Sequence, residues 1–225
     1  LFVRRHLRIR WLSHPISRLP TLVRFLLPFL VLTLVSASTG RSEVAPAPSG
    51  GPTPKPWETH AFDVSSGVLW GLKRNTPLAY RMVPTEFTWR SPLAFHLRDF
   101  ADGSRLLIRH RLTLIASWID QGPESRYLAF SGSPSVEWWN AAGTWALVGG
   151  AGGGFGWLDA RSVPGGQGQD FTLNWFSRIG VEHARTARHR MAAGVMFQHL
   201  SNGGQTDPNP GVDAVGVTVM HTWAF

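Results

Sequence analysis

The sequence predicts an all-β protein: an antiparallel eight-stranded transmembrane β-barrel, preceded by a signal peptide and a disordered linker. Three observations carry that expectation. From Thr59 onward apolar residues recur at every second position, and no long stretch follows the 3.6-residue period of a helix. The two faces of each run differ in kind, one bulky and apolar and the other small or charged, as a wall between lipid and a packed polar interior requires. Many of the 11 tryptophans fall near run ends, where an aromatic girdle would sit.

In chain order, residues 1–38 come first. They hold six arginines (Arg4, Arg5, Arg8, Arg10, Arg18, Arg24), no acidic residue, and an apolar run from Phe25 to Val35. The small residues Ser36, Ala37 and Ser38 follow, so the segment reads as a signal peptide cleaved near residues 37–40. The apolar run is short for a bilayer span and is interrupted by Pro28. Residues 39–57, rich in Pro, Gly and Ser, read as a disordered linker. Residues 58–225 are then the barrel, with strands expected at roughly 59–70, 77–90, 104–119, 126–139, 144–158, 171–184, 189–202 and 212–225, separated by Gly, Pro, Asp and Asn.

Parity separates the faces. In the third run Leu106, Ile108, Leu112, Leu114 and Trp118 share one side, and Arg105, Arg109, Arg111, Thr113 and Ser117 share the other. In the fifth, Trp145, Leu147, Phe155 and Trp157 oppose Gly150, Gly152, Gly154 and Gly156. In the last, Val215, Val217, Val219, His221, Trp223 and the terminal Phe225 share the apolar side. A soluble barrel would turn that side inward. Here the polar side carries both signs, with Glu86, Glu137 and Glu182 against Arg109, Arg111 and Arg178, which fits an ion-paired interior and an apolar exterior. Closing such a barrel in lipid pairs every backbone group.

Composition removes other classes. The net charge of +8 resides mainly in the leader, and without those six arginines 16 basic residues face 14 acidic ones. A nucleic-acid partner loses its electrostatic basis. There is no cysteine, so thiol chemistry, disulfides and Cys-based zinc sites are excluded. His60, His96, His110, His183, His189 and His221 show no ligand-like pairing, so no metal or other cofactor is expected.

The chemistry-bearing stretch is the last hairpin, Phe197-Gln198-His199-Leu200-Ser201-Asn202-Gly203-Gly204 and then Asn209-Pro210-Gly211-Val212-Asp213. His199 and Ser201 are two apart and therefore share a face, the one carrying Val195 and Phe197. Asp213 shares parity with Val215 and Val217, so all three polar groups converge on the lipid side of the wall. Polar side chains there are costly unless they are used. A serine, a histidine and a carboxylate are the parts of an activated nucleophile, with Asp213 fixing the imidazole tautomer. Backbone N–H groups in the Asn202–Gly204 turn are the expected oxyanion donors.

This stretch resembles the lipid A 3-O-deacylases, also called acyloxyacyl hydrolases, in their H-x-S-N-[AG]-G…N-x-G-x-acid pattern. The acid follows the histidine by fourteen residues, as in that family. The family's triad maps onto His199, Ser201 and Asp213, and its oxyanion region onto Asn202 and Gly204. Its best-known members carry Glu where this chain has Asp, one methylene shorter. The resemblance implies an outer-membrane serine esterase that removes an ester-linked acyl chain from lipid A of lipopolysaccharide. Its active site would face the outer leaflet, with Val195, Phe197, Val215 and Val217 forming an acyl groove, and a homodimer is one possible assembly. The rival expectations are an outer-membrane phospholipase using the same triad and a non-catalytic structural or adhesive barrel.

Overall fold

The computed structural model describes residues 55–74 and 78–225. The expected signal peptide and nearly all of the expected linker lie outside the described residues. Eight strands follow: β1 (Ala61–Gly71), β2 (Arg81–Asp99), β3 (Arg105–Gln121), β4 (Arg126–Trp139), β5 (Trp145–Leu158), β6 (Phe171–Ala184), β7 (His189–Ser201) and β8 (Val212–Ala224). Each pairs antiparallel with the next, and β8 closes on β1 from Ala61↔Ala224 to Gly71↔Ala214, so the eight form one closed barrel. Residues 100–104, 140–144 and 185–188 make tight turns at the end where β1 begins and β8 finishes. The connections at the opposite end run 72–80, 122–125, 159–170 and 202–211.

Alternation drives the wall as expected. Along β3, Arg109, Arg111, Thr113, Ile115 and Ser117 are buried inside, while Leu112, Leu114 and Trp118 are exposed outside. Outward tryptophans fall in two belts, Trp70, Trp118, Trp157 and Trp175 toward the loop end and Trp89, Trp138, Trp145 and Trp223 toward the turn end. Three other histidines join the turn-end belt. His60 stacks between Trp89 and Phe225, His183 lies on Trp145, and His221 lies on Trp223.

The interior is layered. Leu69, Tyr80, Met82, Ile115, Phe176, Met196 and Leu200 fill the loop end. Below them Arg178 grips Glu86 with two hydrogen bonds of 3.0 and 3.1 Å, and Ser65 Oγ donates to the same carboxylate. Next comes a denser charge layer. Arg90 bridges Asp63 at 2.9 Å and Glu182 at 2.8 Å, and Glu137 takes Arg111 at 3.4 Å and the Trp139 indole N–H at 3.0 Å. In these two layers Asp63, Glu86, Glu137 and Glu182 thus each have at least one cationic partner, which buried charges require.

Two features differ from expectation. β2 continues nine residues past Arg90, although Pro92 marks a break in the sequence. Register shifts between Arg90, Leu93 and Phe95 absorb the proline, and Ser91 supplies substitutes for the ladder: its hydroxyl accepts the His110 N–H at 3.0 Å and its carbonyl accepts Arg109 Nε at 2.6 Å. The linker boundary also moves. Trp57, assigned to the linker, is buried in the turn end of the barrel against Trp139, with ring centroids 5.7 Å apart. The Pro56 carbonyl accepts hydrogen bonds from both Arg109 and Arg190 at 3.1 Å, because these buried guanidiniums need more acceptors than the carboxylates supply.

Candidate active site

The site is built on the outer wall by three neighbouring strands. Register places His199 of β7 directly opposite Asp213 of β8 and, on its other side, opposite Trp175 of β6. The inward residues between the site positions, Gln198, Leu200, Val212 and Ala214, are buried, which pins both strands and fixes what faces outward. The ends are tied as well. The Leu72 N–H donates to the Asp213 carbonyl at 2.8 Å, and the Thr172 hydroxyl donates to the Ser201 carbonyl at 2.9 Å.

His199 Nδ1 and Asp213 Oδ1 lie 2.7 Å apart, with side chains 21% and 11% exposed. A carboxylate on Nδ1 holds the ring in one tautomer and leaves Nε2 as the free nitrogen. Ser201 lies two residues along on the same face and is partly exposed. No hydrogen bond joins its hydroxyl to His199 among the described residues. Nucleophile and base are often looser than hydrogen-bond reach before substrate binds. Below this row two cross-strand pairs descend the wall, Phe197↔Val215 and then Val195↔Val217, with Val195 47% and Val217 55% exposed. The four residues expected to form a groove therefore share one outward strip beneath His199 and Asp213.

Within the turn, two of the three N–H groups are already engaged. The Asn202 N–H donates to Asn209 Oδ1 at 3.0 Å, and the Gly204 N–H donates to Asn202 Oδ1 at 2.9 Å. The Asn202 and Gly204 N–H groups are thus engaged inside the loop, because Asn202 is fully buried and its surroundings must satisfy its polar atoms. Its amide Nδ2 likewise donates to the Thr206 and Pro208 carbonyls. Among the described residues the Gly203 N–H and Asn209 Nδ2 have no hydrogen-bond partner. Gly203 has φ of +69°, a conformation that suits glycine.

A neighbouring loop, 159–170, braces this turn, and sequence patterns gave no sign of it. The Gly168 N–H donates to the Pro208 carbonyl at 2.7 Å, Gln169 Nε2 donates to Gln205 Oε1 at 3.1 Å, and the Thr206 hydroxyl donates to Gln169 Oε1. The brace is anchored in turn on Glu124, whose carboxylate accepts the Gln167 N–H at 3.0 Å and the Tyr80 hydroxyl at 2.7 Å. Burial, with the adjacent Glu124 adding to it, pushes the Tyr80 hydroxyl well above its ordinary range, so it remains a donor at working pH. Asn209 and Trp175 were also missed. The N-P-G signal could have drawn attention to Asn209, whereas Trp175 becomes visible only through register.

With this geometry in hand, the likenesses to known proteins acquire a place. The family model described as lipid A 3-O-deacylase (PagL) matches residues 75–222. Among solved structures, the fold is similar to the crystal structure of the outer membrane enzyme PagL, with a TM-score of 0.53 and 16% identity, covering 70% of this chain and 97% of that one. It is also similar to the crystal structure of Neisserial surface protein A (NspA), with a TM-score of 0.50 and 12% identity, covering 74% of this chain and 97% of that one. At such identities both likenesses speak to the barrel alone, and one barrel serves an enzyme and a surface protein alike. No curated protein sequence matches the chain. The family model, in contrast, spans well over half of the sequence and includes the whole hairpin bearing His199, Ser201 and Asp213. The chain is an outer-membrane β-barrel and belongs to the PagL family of lipid A 3-O-deacylases.

Proposed function

We propose that this protein is a serine esterase that hydrolyses an ester-linked acyl chain of lipid A at the outer leaflet, using Ser201, His199 and Asp213. The observation that carries the reading is the 2.7 Å contact between His199 Nδ1 and Asp213 on the lipid-facing wall, with a partly exposed serine two residues along the strand from the histidine. A polar pair facing lipid is costly unless it is used, unlike the ion pairs inside the barrel.

In the mechanism, Ser201 Oγ attacks the ester carbonyl while His199 Nε2 takes its proton. Asp213 keeps the Nδ1–H directed at itself and stabilises the imidazolium. Within the turn, the Gly203 N–H and the Asn209 Nδ2 receive the oxyanion. As the intermediate collapses, the imidazolium protonates the departing alcohol oxygen. Water, deprotonated by the same nitrogen, then releases the acyl group from Ser201 as a free fatty acid.

The leaflet follows from strand direction. Short turns face the periplasm in outer-membrane barrels and longer loops face outward, so the 202–211 loop is extracellular. The outer leaflet is where lipid A resides. Lipid A and phosphatidylethanolamine, offered side by side in detergent with mass-spectrometric readout, test the substrate: fatty acid should leave lipid A. Release from the phospholipid alone would assign a phospholipase, and release from neither by a folded barrel would assign a non-catalytic protein. An epitope inserted at Thr206 should be reachable on intact cells.

A further inference from the structure

The imidazole of His199 is bounded on two sides, and only one boundary is the carboxylate. On β6, Trp175 stands directly opposite His199, and its ring stacks on the imidazole with centroids 5.8 Å apart and planes inclined by 29°. The same indole packs on Phe197, the next outward residue of β7, with centroids 4.9 Å apart. Trp175 is nonetheless 50% exposed, so its remaining surface faces the membrane. Across it on β5 stands Gly153, which offers no side chain to compete for the ring. A tryptophan in the girdle needs none of these contacts to serve as a membrane anchor.

Resting on the reading of the site given above, we infer that Trp175 is a positioning residue for His199, acting in two ways. Its face confines the imidazole to the plane in which Nδ1 meets Asp213. It also attracts the imidazolium that exists only after Ser201 gives up its proton, because an indole face is the strongest aromatic partner for a cation within about 6 Å. An interaction stronger in the charged state than in the neutral one assists the chemical step rather than binding. The groups facing the ring are few: Asp213 from β8 and Ser201 from β7, while the outward residues at this end of β6 are Phe171, Leu173 and Trp175, none of them charged. Trp175 is therefore the only side chain on the β6 flank, among the described residues, with which the ring interacts.

The test compares Trp175→Phe, Trp175→Leu and Ser201→Ala in the refolded full-length barrel, each checked for heat-modifiable gel mobility. The substrate is lipid A, and kcat/KM is followed across pH. Trp175→Leu should lower the plateau by roughly two- to thirty-fold, through kcat rather than KM, the range that one cation–π contact supplies. It should also move the acid limb to lower pH, since the protonated ring loses its partner. Trp175→Phe, which keeps a π face, should recover most of both effects. Should the Leu variant fail to fold, Trp175→Met offers similar apolar bulk without the face. A plateau that falls with an unmoved acid limb and no recovery in Phe would overturn the inference and leave Trp175 a packing residue. Wild-type rates in the Leu variant would overturn it as well. Ser201→Ala separates this from the parent reading: hydrolysis that survives it refutes the triad itself, whereas an inactive Ser201→Ala beside a fully active Trp175→Leu refutes only the role of Trp175.

Discussion

The inside of the barrel and its outer wall both hold acids beside bases, but on different terms. Inside, Arg90 is fully buried and shared among Asp63, Glu182 and Glu137, and each carboxylate has further donors. Outside, one histidine meets one aspartate and a serine stands near them without a bond. Interior groups are held by several partners and have no access to substrate, so they specify the fold. The outer trio is partly exposed beside an apolar strip, so on the proposed reading its polarity serves a substrate that comes from the membrane. On that reading, exposure to lipid rather than charge itself separates chemistry from scaffolding.

The sharpest way to break this contrast is to remove the nucleophile. Ser201→Ala should lower acyl release from lipid A on the order of 10⁴- to 10⁶-fold, as loss of a triad serine does elsewhere, with the folded gel mobility unchanged. A serine-directed phosphonate should label wild type and spare His199→Ala. Next in size is the acid: Asp213→Asn should cost about 10³- to 10⁴-fold, because the amide favours the wrong imidazole tautomer. Asp213→Glu should keep turnover within about tenfold of wild type, a change of about 1.4 kcal/mol. Normal turnover in Asp213→Asn would take the carboxylate out of the mechanism.

The interior should respond in the opposite sense. Arg90→Leu strands Asp63 and Glu182 without their principal partner, which should destabilise the barrel by about 3–5 kcal/mol. The midpoint of urea unfolding in lipid vesicles measures that loss. Turnover per folded molecule should remain near wild type. If Arg90→Leu slows the folded enzyme as severely as Asp213→Asn does, the separation between scaffold and chemistry fails.

How much of this was legible in the sequence depends on whether a property is local. Parity gave the inside and outside of the third, fifth, seventh and eighth strands, because side-chain direction alternates whatever the partner strand does. It therefore placed Glu86, Glu137, Arg109 and Arg111 inside and His199, Ser201 and Asp213 outside. It also gave the turn between Asn202 and Asp213. Register was not legible, since sliding two strands by two residues keeps every face and changes every neighbour. The stacking of Trp175 on His199 and the bracing of the turn by Gln167 and Gln169 depend on that register. The overrun of β2 was hidden by Pro92, around which the register shifts while the Ser91 hydroxyl accepts the His110 N–H. The burial of Trp57 was hidden by a composition typical of linkers, because the need for it lies in Arg109 and Arg190, which are far away in sequence.

The smallest effect concerns the strip beneath the site, and register makes it specific. Strand residues advance about 3.4 Å each, so Val215 stands about 7 Å from the Asp213 row and Val217 about 14 Å. An acyl chain whose ester sits at Ser201 and whose tail lies along this strip would pass Val215 within its first few carbons. It would reach Val217 only if it is long. Val217→Trp should therefore leave release of short acyl chains unchanged and reduce release of long ones by a few-fold, since each methylene denied contact forfeits about 0.8 kcal/mol at most. Val215→Trp should slow both. Competition between lipid A species of different acyl length, read by mass spectrometry of the released fatty acids, gives the ratio directly without absolute rates. An unchanged ratio in Val217→Trp would mean that the chain leaves the wall above that row. A uniform loss across lengths would mean that Val217 acts through the packing of β8 and not through the substrate.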